Sequence, residues 1–149
     1  MVNAQEWLDK NYPNKEQRIT KLDVKDKELE GSLKLEGFIN LKKFSCPRNL
    51  LTRLEITNCP NLKEIDCKKN KLTELKINQL EELASLDCGD NKLTELSFGK
   101  LEKFVELNCH NNQLTKLNVN NCSNLKKLRC EANLLVSLSL SQNTKLEEL

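Results

Sequence analysis

A chain of 149 residues has room for one domain, and 38% hydrophobic against 31% charged residues is ordinary for a globular protein. A formal net charge of +2 is too small to carry a nucleic-acid footprint. No stretch approaches the roughly 18 apolar residues of a membrane span, and the first residues lack the apolar core of a secretory signal.

Residues 3 to 12 read as a short helix. Asn3 can cap it with Glu6 three positions on, Ala4, Trp7, Leu8 and Tyr12 recur at helical spacing, and Pro13 ends it. The segment 1–18 is expected to be an N-terminal cap, with Trp7, Leu8 and Tyr12 covering the apolar end of the first repeat. That repeat runs from 19 to 40 in degenerate form. Leu22 and Val24 fill strand positions, Lys27 stands where later units place asparagine, and one extra residue sits around Gly31 and Ser32.

From 41 to 145 one 21-residue unit recurs five times without insertion or deletion, beginning at Leu41, Leu62, Leu83, Phe104 and Leu125. Its fourth position holds Phe44, Ile65, Leu86, Leu107 and Leu128. Its sixth is cysteine throughout, Cys46, Cys67, Cys88, Cys109 and Cys130. Its ninth is asparagine throughout, Asn49, Asn70, Asn91, Asn112 and Asn133, and its eleventh and fourteenth are always leucine. A unit this short cannot bury so many apolar residues alone, so copies must stack, each covering its neighbour.

Alternation over positions four to six predicts a strand whose middle residue faces outward, so that stacked copies build a parallel sheet. The asparagine comes next, where the chain turns back, and can bond backbone groups that the turn leaves unpaired. The second halves, Leu54-Glu55-Ile56 through Leu138-Ser139-Leu140, alternate as well and predict short strands on the opposite side. Gln79 to Leu83 and Lys100 to Phe104 are each expected to make one helical turn.

The pattern L-x-x-[LIF]-x-C-x-x-N-x-L resembles the leucine-rich repeat, and the second half L-T-x-L-x-[IFVL] resembles its short 21-residue nested (IRREKO-like) subclass, found in bacterial and some fungal proteins. The likeness runs from about Ile19 to Leu149. It implies a mainly β repeat solenoid, a right-handed horseshoe or a nearly straight two-sided parallel β-solenoid, with a short N-terminal capping helix and a binding role.

No glycine-rich phosphate loop, dinucleotide fingerprint or H-E-x-x-H motif is present. Cys109 and His110 are no nucleophile pair, because consecutive strand residues point to opposite faces, and His110 is expected to be a solvated surface residue. Seven cysteines occur without a C-x-x-C knuckle, and their column tracks the repeat, so neither a metal nor another cofactor is expected. Parallel Cβ vectors along the column oppose a disulfide torsion. Cys59 and Cys122 share the nineteenth position with Leu80 and Leu101, so cysteine serves there as a small apolar residue. A reducing compartment, cytosol or nucleus, is the expectation.

No catalytic residue is expected, and function should lie on the outward columns of the main sheet. One holds Lys43, Glu64, Ser85, Glu106 and Lys127, the next Ser45, Asp66, Asp87, Asn108 and Arg129, and Lys68 and His110 stand in a third. Glu64, Asp66 and Asp87 form an acidic centre with basic residues toward both ends. This reads as a non-catalytic interaction face for a protein or peptide partner, not for nucleic acid or membrane. The alternative is a structural or spacer segment of a larger protein whose activity resides in another domain. Leu146-Glu147-Glu148-Leu149 restart the unit. The sequence therefore leads one to expect an uncovered apolar end bearing Leu128, Leu135, Leu138 and Leu140, open to a continuing chain or to end-to-end self-association.

Overall fold

The computed structural model describes residues 1–14 and 18–149; Lys15, Glu16 and Gln17, near the end of the expected cap segment, lie outside the described residues. The elements run β1 (Val2–Asn3), α1 (Ala4–Asn11), β2 (Lys21–Asp23), β3 (Leu29–Glu36), β4 (Lys43–Ser45), β5 (Leu50–Thr57) and β6 (Glu64–Asp66). They continue as β7 (Glu74–Ile77), β8 (Ser85–Asp87), β9 (Glu95–Ser97), β10 (Glu106–Asn108), β11 (Lys116–Asn118) and β12 (Lys127–Arg129). Even-numbered strands form one parallel front sheet in the order β2-β4-β6-β8-β10-β12. Odd-numbered strands form the back, as β1-β3-β5-β7 and, separately, β9-β11.

The front register matches the repeat: Leu22, Phe44, Ile65, Leu86, Leu107 and Leu128 stand opposite one another in turn. Front strands are only three residues long because a residue with positive φ reverses the chain soon after each. These are Asp26, Arg48, Lys69, Asp90, Asn111 and Ala132, with φ between 51° and 56°. Such a conformation is unfavourable for a residue with a Cβ, so the hydrogen bonds of the neighbouring asparagines must hold it.

Between the two sides lies a single apolar core, including Leu41, Leu62, Leu83, Phe104 and Leu125 from the first position and Leu51, Leu72, Leu93 and Leu114 from the eleventh. At the N-terminal end α1 closes it. Asn3 Oδ1 accepts the Glu6 N–H at 3.0 Å, capping the helix, and Ala4 and Leu8 are buried in the core. Tyr12 packs between Trp7 and Phe38, with ring centroids 6.1 and 6.4 Å away, and Lys27 Nζ lies 5.7 Å from the Trp7 ring centre. The extra residue near Gly31 and Ser32 produces a register shift in the β3–β5 pairing, where Gly31 has φ +82°.

Several expectations are corrected. Gln79 to Leu83 and Lys100 to Phe104 are not helical turns; each closes a tight turn through one bond, Leu83 N–H to Leu80 O and Phe104 N–H to Leu101 O. The segment Leu138 to Leu140 is not a strand, although its leucines are partly buried. Leu128 is not at an open end but fully buried, because the segment after it docks in register: Glu147 and Glu148 donate to Lys126 O and Leu128 donates to Glu148 O. The exposed apolar residues of this region are instead Leu134, Val136 and Leu149. Among the described residues no helix is long and apolar enough to cross a membrane.

Candidate binding face

The sheet pleat places the outward columns on the front. Pairing sets Lys43 beside Glu64, Glu64 beside Ser85, Ser85 beside Glu106 and Glu106 beside Lys127. The next column runs Ser45, Asp66, Asp87, Asn108, Arg129 in the same way. The acidic centre is therefore contiguous, and it is already countered from within the chain. Lys43 Nζ lies 2.7 Å from Glu64. Lys68 Nζ sits between Asp66 at 3.4 Å and Asp87 at 3.3 Å. Burial pulls the Lys68 ammonium pKa down, but the Asp87 and Asp66 carboxylates outweigh it and hold the group above its ordinary value. Lys43 is likewise raised by its hydrogen bond to Glu64.

Farther along, Arg129 pairs with Glu131 at 2.9 Å and Lys127 with Glu148 at 3.3 Å. Two residues of the face stand differently from expectation. Ser45 is only 8% exposed, because its hydroxymethyl group is too short to rise above its register partners Asp23 and Asp66. His110 is not freely solvated: its ring is partly buried, with Nδ1 2.7 Å from Asn108 Oδ1 and Nε2 3.5 Å from Asp90 Oδ2.

Behind the face, the asparagine column ties each repeat to the one before. In Asn91, Nδ2 donates to Cys67 O and Cys88 O at 3.1 Å, and Oδ1 accepts the Leu72 N–H at 3.0 Å. Asn70, Asn112 and Asn133 repeat this pattern, each accepting from the eleventh-position leucine of the previous unit. Asn49 reaches into the degenerate repeat, where Oδ1 accepts from both Lys27 and Leu29. The lysine at position 27 thus leaves its backbone N–H to be served from the neighbouring unit. Each amide satisfies backbone groups that stacking removes from water.

Cys46, Cys67, Cys88 and Cys109 are fully buried thiols, and Cys130 is half-buried. Burial pushes their pKa up, Cys109 to about 12 and Cys67 and Cys88 well above the ordinary value. One buried polar residue lies outside the columns singled out from the sequence. Asn143 donates to Val119 O at 2.9 Å and Cys122 O at 3.0 Å, tying the last full repeat to the one before. Its position in the column of Cys59 and Cys122 is the one signal that could have found it.

No family model and no curated protein sequence matches the chain. Among solved structures, an internalin (inlF) of Listeria monocytogenes str. 4b F2365 superimposes with TM-score 0.53 at 21% identity, over 78% of this chain and 46% of that one. The functional domain of InlJ from Listeria monocytogenes, described as including a cysteine ladder, aligns with TM-score 0.45 at 23% identity over 87% of this chain and 38% of that one. The chain spans less than half the length of either. The likeness to the internalin is one of fold, and the fold of this chain is the leucine-rich-repeat solenoid, a mainly β stack of parallel strands closed by one short N-terminal helix.

Proposed function

We propose that the chain is a non-catalytic protein-interaction module whose front sheet receives a protein or peptide partner at the contiguous columns of Glu64, Asp66, Asp87 and their neighbours. The observation that carries this reading is the register, which lines charged and polar side chains of adjacent strands into rows and sets Asp66 directly beside Asp87. A basic segment of the partner would exchange its own cations for Lys43 and Lys68 on these carboxylates. Such exchange replaces one ion pair by another, so it gives selectivity and salt sensitivity more than raw affinity.

The test is affinity capture from the source cell with the native protein and with Glu64→Gln, Asp66→Asn and Asp87→Asn combined. The native protein should retain a partner that the triple variant loses, and the retained complex should weaken as ionic strength rises. Equal capture by both would move the site off the acidic centre, toward the loop edge around Lys68, Lys69, Asp90 and His110.

A further inference from the structure

The single histidine of the chain stands on the front face with an oxygen at each ring nitrogen. Nδ1 of His110 lies 2.7 Å from Asn108 Oδ1, and Nε2 lies 3.5 Å from Asp90 Oδ2 in the preceding repeat. The ring is seated over Gly89, whose lack of a side chain leaves room for it. The side chains of His110 and Asp90 are only 24% and 28% exposed, so water competes less for this contact than for the Lys43–Glu64 or Arg129–Glu131 pairs.

The neighbouring bonds decide where the ring hydrogen sits. Asn108 Oδ1 also accepts the backbone N–H of His110 at 3.3 Å. Asp23, Asp66 and Asp87 make the same bond to the residue two positions on, and their side chains have only oxygen to offer. Asn108 is therefore turned with its oxygen toward His110. An oxygen at 2.7 Å requires the hydrogen to be on Nδ1, because a bare ring nitrogen would meet it lone pair to lone pair. In the neutral ring Nε2 is then without a hydrogen and faces a carboxylate oxygen. Asp90 is held in that position by Asn111 Nδ2, which donates to its other oxygen at 2.7 Å. A second proton turns the contact from lone pair against carboxylate into an N–H donor on a carboxylate.

The charges around the ring favour that proton. From the preceding repeat Asp90 faces Nε2, and Asp87 Oδ1 borders the same space above Gly89. In the next repeat Glu131 follows His110 in the column, near enough to sense the charge of the ring. The two cations of this neighbourhood are already engaged, Lys68 by Asp66 and Asp87 and Arg129 by Glu131.

We propose that His110 is a proton-operated clasp: on acidification its imidazole closes an ion pair onto Asp90 and ties the turn of the fourth regular repeat to that of the third. The front face then gains one positive charge beside its acidic centre. The clasp stands on the contacts of the ring alone and does not depend on what the face binds.

Nitrogen-15 magnetic resonance of the full chain tests it, since one imidazole gives one unambiguous pair of ring signals. Above the titration the hydrogen should be on Nδ1, the tautomer that a free histidine side chain favours less, with Nε2 bare. Asp90→Asn should lower the titration midpoint by about half a pH unit or more, and Asn108→Asp should raise it by a similar amount. Each variant borrows a residue that its own column already carries. Asn111 follows Asp90 one repeat on with the same positive φ, and Asp87 precedes Asn108. Both proteins should therefore fold, and unchanged backbone amide signals away from the site report that they do. A neutral ring protonated at Nε2 overturns the proposal. So does a folded Asp90→Asn protein that titrates at the native midpoint.

Discussion

The imidazole of His110 occupies the space that a Cβ on Gly89 would need: a methyl group built there collides with ring atoms Cε1 and Nδ1. These two residues sit in the same outward column of adjacent repeats, 21 positions apart. The ring is seated over the glycine and held at its two nitrogens by Asn108 and Asp90. Asp90 is in turn fixed by Asn111, whose Nδ2 donates to its other oxygen at 2.7 Å.

Gly89→Ala should therefore lower stability by about 1 to 2 kcal/mol through overpacking against the ring. His110→Ala should remove most of that cost when the two are combined, since the collision then has no second partner. A double-mutant cycle from urea unfolding measures this. Additive effects would mean that the ring moves aside freely and the seat is not a constraint.

The asparagine column should show a gradient of cost along the chain. Asn91→Ala leaves the Leu72 N–H without its acceptor in a buried position and takes one of two amide donors from each of the Cys67 and Cys88 carbonyls, which keep Asn70 and Asn112, a loss of about 2 to 3 kcal/mol. Asn133 makes the same bonds but is less buried, so water can replace some of them and the cost should be about 1 kcal/mol. Chemical denaturation of the two variants side by side decides the point, and equal losses would contradict it.

Thiol chemistry should show the same end effect. Cys130, half-buried, should react first with an alkylating reagent, and the other six cysteines only on the timescale of opening. The linked pH dependence has a defined sign. Burial holds the Cys109 thiol at about 12 in the folded protein against an ordinary value of 9.0, and Cys67 and Cys88 shift the same way. The unfolded chain therefore releases protons that the folded chain retains as pH rises past 9. The thiol contribution to stability is fully present below about pH 9 and is lost toward pH 12. Urea midpoints measured from pH 8 to 10.5 should fall, with a shallower slope in Cys88→Ala. An identical slope in that variant would assign the loss to other groups.

Lys68→Met leaves Asp66 and Asp87 opposite each other without the ammonium between them. Like charges directly across a strand pair destabilise, so the variant should lose about 1 kcal/mol at low salt, and the loss should shrink as ionic strength rises. Adding Asp87→Asn should restore most of it. A loss that ignores salt would point to packing of the lysine stem instead.

The sequence by itself determined which residues become neighbours. A 21-residue unit repeated without insertion brings each residue opposite the one a period away, so Glu64, Ser85 and Glu106, or Cys67, Cys88 and Cys109, fall into line before any coordinate is known. The cap was legible too, because Asn3, Glu6 and the spacing of Ala4 and Leu8 are local signals. What only the tertiary structure decided is how neighbours in a column treat each other. Lys68 leans between two aspartates, His110 settles over Gly89, Ser45 sinks below its flanking carboxylates, and Asn143 turns inward where two cysteines precede it. The period cannot specify these, since it fixes the position of each Cα while side-chain length and charge act through whatever stands one repeat away.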